Sequence, residues 1–164
     1  MVKRVFTTVG STKFPDLIKA VLSTDTIRIL ESLGVSELSI QYGTDEQLYH
    51  YQIQGLSTTI SITGFDYSPS IDKEMKAADL IFSHAGLVFT RMSLTSLGSG
   101  SVLEALHLGK LLVVVPNASL MDNHQAEVAK ALADSGYLIQ SSPTYCHALN
   151  GSNIQDIGKR PRTA

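Results

Sequence analysis

Residues 78–116 read ADLIFSHAGLVFTRMSLTSLGSGSVLEALHLGKLLVVVP. Two apolar runs, LIFSH and LLVVV, bracket glycines and serines that lead into the helical pattern VLEALHLGK. Short runs of this kind bounded by turn residues are buried strands, and an all-apolar run such as LLVVV suits a central parallel strand covered on both faces. Strand, glycine turn, helix and second strand make one βαβ unit, and that unit decides the fold class.

The alternation extends in both directions. RVFTTV (4–9) predicts a strand closed by GST. Phe14, Leu17, Ile18, Val21 and Leu22 repeat at helical spacing; Ile27, Ile29, Leu30 and Leu33 form a second helical stripe that stops at Gly34, a C-cap. SELSIQYG (36–43) and STTISITGF (57–65) predict strands. SPSIDKEMKAADL predicts a helix with Ser68 at its N-cap and Pro69 in its first position. Beyond the LLVVV strand, HQAEVAKALADSG (124–136) predicts a helix and YLIQ a short last strand. The expected architecture is α/β, a doubly wound and mostly parallel sheet of Rossmann type. One domain is expected over residues 1–140, followed by a polar, poorly ordered tail at 141–164.

Composition narrows the partners. A net charge of −2 offers no global attraction to nucleic acid or to an anionic membrane. Cys146 is the single cysteine, so no internal disulfide can form. The longest apolar run, at 111–115, is far below the roughly 20 residues needed to span a bilayer. The N-terminal stretch MVKRVFTTVGST is too weakly apolar for a signal peptide, so a cytoplasmic location is expected. No His, Cys or Asp cluster has metal-ligand spacing, and no serine–histidine–aspartate arrangement is visible.

In doubly wound sheets ligands lie beyond the carboxyl ends of the strands, and three loops stand out there. TVGSTKF (8–14) offers Gly10 for close backbone approach and the hydroxyls of Ser11 and Thr12; a plain tight turn explains it equally well. Gly98, Ser99, Gly100 and Ser101 open a helix, where unpaired N–H groups and about half a positive charge favour an anion. Glu104, three residues after Ser101, either accepts both hydroxyls of a ribose or completes a capping box that serves only the helix. Asn123, His124 and Gln125 stand at the mouth of the next helix, as sugar-binding groups or as a polar first turn. His84 ends the LIFSH strand at the same level.

Taken together, TVGSTKF, IQYG, ADLIFSHAG, GSGSVLEAL, VVVPN and LMDNHQ resemble one family. It is the small cytosolic subunit of the eukaryotic two-subunit UDP-N-acetylglucosamine transferase, which adds the second sugar to the dolichol-linked oligosaccharide precursor. The resemblance runs from residue 3 to about 140. More distantly, the chain is similar to the nucleotide-sugar lobe of the bacterial peptidoglycan N-acetylglucosaminyltransferase, a GT-B enzyme. The resemblance implies a single GT-B lobe that binds UDP-GlcNAc, with Gly10, Ser11 and Thr12 on the diphosphate. His84, Gly86 and the Gly98, Ser99, Gly100, Ser101 turn would form the main phosphate cradle. Glu104 would hold the ribose, and Asn123, His124 and Gln125 the N-acetylglucosamine. It further implies inverting β-1,4 transfer to GlcNAc-diphosphodolichol with no cofactor and no metal. A membrane-anchored partner subunit would supply the acceptor site and hold the chain peripherally on the cytosolic face of the endoplasmic reticulum. The general base would lie in the interlobe cleft or on the partner, with His84 the one candidate on this chain.

Two features depart from that family. Removing Leu87 to Gly98 restores an uninterrupted SHAGSGSVLEAL, so residues 87–98 read as an insertion in a connection that usually takes about 2–6 residues. It is either a retained in-frame stretch that disables the site or a loop bulging from the surface. The tail from Ser141 is polar where family members continue into helix. An inactive nucleotide-sugar-binding protein, or a disabled splice variant, is therefore the alternative to the transferase reading. A third is a nucleotide-sugar epimerase on the same half-fold.

Overall fold

The structure, a computed structural model, describes residues 1–10, 13–68, 71–84, 110–115, 127, 130, 133–134 and 139–142. In chain order these form β1 (Arg4–Thr8), α1 (Pro15–Val21), α2 (Thr24–Ser32), β2 (Glu37–Gln41), α3 (Glu46–Gln54) and β3 (Ser61–Phe65). Then come α4 (Asp72–Ala77), β4 (Leu80–His84), β5 (Leu111–Val115) and β6 (Ile139–Gln140). The strands lie side by side in the order β3-β2-β1-β4-β5-β6, and all five pairings are parallel. The doubly wound α/β sheet expected from the sequence is the sheet observed.

Register explains the burial. Val5, Leu38, Leu80 and Ile40 share one sheet face with Phe82, Val113 and Val115, because neighbouring strands align these positions and side chains alternate. That face packs on Leu17, Ile18 and Val21 of α1, Ile27 and Leu30 of α2, and Tyr49 of α3 to form the main core. Each fully buried Val, Leu or Ile stabilises by about 1.5–3 kcal/mol relative to exposure. The opposite face buries Phe6, Ile81, Leu112 and Val114, with α4 lying against β1. One discord sits in the main core: the hydroxyl of Thr7, between Ile40 and Phe82 in register, is fully buried and has no hydrogen-bond partner.

Polar side chains fasten the elements at their ends. Asp79 Oδ2 accepts the backbone N–H groups of Lys3 at 2.8 Å and Arg4 at 2.9 Å, tying the start of β4 to the start of β1. Burial works to raise the Asp79 pKa, but those two N–H donors, Lys110 and the N-terminal ammonium together hold it below its ordinary value. Glu31, at the end of α2, accepts from the N–H of Thr59 and from the hydroxyls of Thr58 and Thr59, which lowers its carboxyl pKa and anchors the approach to β3.

Several expected boundaries shift. Gly34 does follow α2 with φ 82, the left-handed conformation that suits glycine. The helix expected behind Ser68 and Pro69 starts at Asp72 with Ile71 at its N-cap, so Ser68 is not its cap. β3 begins at Ser61 rather than at residue 57. α3 has no counterpart in the expected pattern: only Tyr49 is buried in it, so EQLYHYQIQ shows little of the apolar stripe that periodicity detects. The helices expected at 98–110 and, for the most part, 124–136 lie outside the described residues, as do the 87–98 insertion and most of the 141–164 tail; Glu127, Lys130, Ala133 and Asp134 are helical.

Candidate functional site

β1 and β4 are neighbours, yet the chain leaves β1 toward β2 on one side and β4 toward β5 on the other. That reversal is a topological switch point, where the connections diverge and leave a crevice outside the carboxyl ends of the strands. Thr8 and Ser83 are register partners at this edge, and His84 pairs with Val115 of β5. Gly10 stands two residues beyond the end of β1. The two described members of the predicted site, Gly10 and His84, therefore flank the switch point from its two sides. Ser11, Thr12, Gly86, Gly98, Ser99, Gly100, Ser101, Glu104, Asn123, His124 and Gln125 lie outside the described residues.

Gly10 adopts φ 69, a conformation a β-carbon would strain. Its N–H donates to Thr8 Oγ1 at 3.1 Å. The Thr8 hydroxyl in turn donates to Gln41 Oε1 at 2.6 Å, and the N–H of Val9 donates to the Gln41 carbonyl at 3.2 Å. Thr8 and Gln41 are both buried. At the other end of the same loop the N–H of Phe14, the N-cap of α1, donates to Asp45 Oδ2 at 3.0 Å. Thr8, Gln41 and Asp45 were not singled out from the sequence. The available signal was a polar residue at the carboxyl end of each of two strands, RVFTT and ELSIQ, where valine or isoleucine would pack as well.

His84 is buried, and that desolvation pushes its pKa down to about 4, so the ring is neutral at physiological pH. An imidazole of such low basicity is a poor general base near neutrality, where efficiency needs a pKa close to the working pH. As a neutral ring it can donate one hydrogen bond and accept another. Among the described residues no group of three His, Cys, Asp or Glu could hold a metal ion, and no helix is long and apolar enough to cross a membrane. A cavity of about 270 Å³ lies instead along the amino-terminal half of β1, lined by Arg4, Phe6, Glu37, Ser39, Thr63 and Lys73. Two of its charges are paired with each other, Arg4 Nε with Glu37 at 3.0 Å, and it does not reach the switch point.

An all-parallel, doubly wound sheet with a glycine turn and a neutral histidine at the switch point defines the class of α/β domain that takes its ligand at the strand carboxyl ends. Within that class, the chain belongs to the glycosyltransferase family 28 C-terminal domain family, whose family model matches residues 4–146. It is 40% identical over 138 residues to the UDP-N-acetylglucosamine transferase subunit ALG13 of Yarrowia lipolytica, covering 84% of this chain and 64% of that one. It spans only 10% of the mouse and 11% of the human protein of the same name. A solution NMR structure of ALG13 superposes with a TM-score of 0.61 at 27% identity, over 87% of this chain and 79% of that one. The MurG crystal structure from Acinetobacter baumannii gives a TM-score of 0.64 at 20% identity, over 96% of this chain and 44% of MurG, a likeness of fold.

Proposed function

We propose that the chain is the donor-binding lobe of a UDP-N-acetylglucosamine transferase, a single nucleotide-sugar-binding unit over residues 1–140. The observation that carries this reading is the family match across residues 4–146 on a fold whose switch point is flanked by Gly10 and His84. The diphosphate of UDP-GlcNAc lies against the turn after β1 and against the loop that leaves β4. Gly10, Ser11 and Thr12 approach it from one side; His84, Gly86 and the Gly98–Ser101 turn approach it from the other. Glu104 takes the ribose hydroxyls, and Asn123, His124 and Gln125 the sugar.

Transfer proceeds by displacement at the anomeric carbon with inversion. The 4-hydroxyl of a dolichol-diphosphate-linked GlcNAc forms the new glycosidic bond as the bond to UDP breaks. Backbone N–H groups and a helix start stabilise the departing diphosphate electrostatically, without a metal. A neutral His84 adds a hydrogen bond to that oxygen cluster rather than a charge. The acceptor site belongs to a membrane-anchored partner subunit, which holds this chain at the cytosolic face of the endoplasmic reticulum, and the base lies in the interlobe cleft or on that partner.

Calorimetric titration of UDP-GlcNAc into this chain, with and without residues 87–98, tests the reading. Binding is expected to be weak in the full chain and to strengthen on deletion. Glu104→Ala should then weaken UDP by about 1–3 kcal/mol, the scale for losing a buried hydrogen-bonding partner. No binding by either form would defeat the reading. The second reading, a nucleotide-sugar-binding protein without turnover, is favoured by the twelve residues between Gly86 and Ser99. Failure to transfer to the lipid-linked acceptor in the presence of the partner, with donor binding intact, would select it.

A further inference from the structure

We propose that Thr8, Gln41 and Asp45 are positioning residues that hold Gly10 and Phe14, the described ends of the connection after β1, in place for a phosphate ligand. The inference rests on the donor-binding reading above. Gly10 and Phe14 are each tied by a backbone hydrogen bond: Gly10 to Thr8, which is itself held by Gln41 of β2, and Phe14 to Asp45 in the loop that follows β2. At the first, the Thr8 hydroxyl can donate to only one group, and the acceptor is the carbonyl oxygen of the Gln41 side chain. Its lone pair is thereby turned toward the N–H of Gly10, which it receives at 3.1 Å. Gln41 also extends the β1–β2 ladder by one bond, through its own carbonyl to Val9.

At the second attachment α1 lacks a capping side chain at its own N-cap, Phe14. Asp45 receives the N–H of Phe14 from a neighbouring loop that turns at Gly43, φ 59. The charge of Asp45 would repel a phosphate if it were free, but here it is directed at a backbone donor. Burial makes the arrangement informative. Thr8 is 0% exposed and Gln41 3%, and a Val–Ile pair would fill the same strand positions without desolvating two polar groups. What the polar pair supplies is an internal acceptor for the Gly10 N–H, which fixes φ at this one residue before any ligand arrives. Such preorganisation lowers the ordering cost of binding.

The test measures UDP and uridine affinities for this chain by titration, in the wild type and in Thr8→Val, Thr8→Ser, Gln41→Leu and Asp45→Ala, with a thermal midpoint for each. A positioning role predicts that Thr8→Val, Gln41→Leu and Asp45→Ala weaken UDP by about tenfold, which is about 1.4 kcal/mol. Uridine, which has no phosphate, should change by less than about twofold, and Thr8→Ser should bind UDP like the wild type. Asp45→Ala alters only a half-buried loop residue, so it serves if either strand variant fails to fold. Equal losses for UDP and uridine, or UDP binding within about twofold of wild type in Asp45→Ala and in every strand variant that folds, overturn the inference. If the wild-type chain binds neither ligand, the same substitutions are read in the chain without residues 87–98, and no binding by that form either overturns the donor-binding reading itself, a separate result.

Discussion

Acidification from pH 7 to pH 5 should remove about 2 kcal/mol of stability through one side chain, His84. In the folded chain burial brings its pKa down to about 4, whereas in the unfolded chain it returns to the ordinary value of about 6.5. Between those values the unfolded state binds the proton and the folded state does not, so stability rises with pH across that window. The contribution is fully present above about pH 6.5 and is lost as the pH falls toward 4. The gap between the two values converts to about 3.4 kcal/mol at most, and to about 2 kcal/mol at pH 5. Urea unfolding of the wild type and of His84→Gln at pH 7 and pH 5 isolates it, since every other titrating group is common to both. The wild type should lose about 2 kcal/mol more than the variant, with an unchanged denaturant slope. Equal acid losses in the two proteins, or a His84 ring resonance titrating near 6.5, would refute the argument.

Two further perturbations probe the packing that presents the site. Thr7→Val replaces a buried hydroxyl without a partner by a methyl group of similar size, and should raise stability by about 1 kcal/mol in thermal or urea unfolding; a destabilised variant would mean the hydroxyl has a partner. Gly64→Ala places a β-carbon against the Tyr49 ring, which is itself stacked on Tyr42 at 4.9 Å, and should cost about 1–3 kcal/mol. In a Tyr49→Ala background the same change should cost almost nothing, and an undiminished penalty there would show that the collision is not the cause.

Much of the sheet was legible because its strands are continuous apolar or β-branched runs. VFTTV, LIFSH and LLVVV carry the pattern of parallel strands covered on both faces, and Gly34 marked the end of α2 correctly. α3 was not legible: EQLYHYQIQ buries little beyond Tyr49, and that residue packs on Tyr42, just after β2, and against Gly64 of β3, contacts that periodicity within the helix does not show. The start of α4 was misjudged because Ser68 and Pro69 look like a cap, a local signal that tertiary packing of Ile71 and Met75 overrode. At the site, Gly10 and His84 could be placed at strand ends from sequence. The Thr8–Gln41 and Phe14–Asp45 hydrogen bonds could not, because each joins residues 31 or 33 positions apart, and only the β1–β2 register brings them together.

The proposed function puts an activated sugar at the carboxyl ends of β1 and β4. Backbone amide chemical shifts recorded while UDP-GlcNAc is added test it most directly. The account predicts the largest movements at Gly10 and His84, with Arg4, Glu37 and Asp79, at the opposite ends of the strands, unmoved. Movement confined to those opposite ends, or none anywhere at saturating donor, would contradict it.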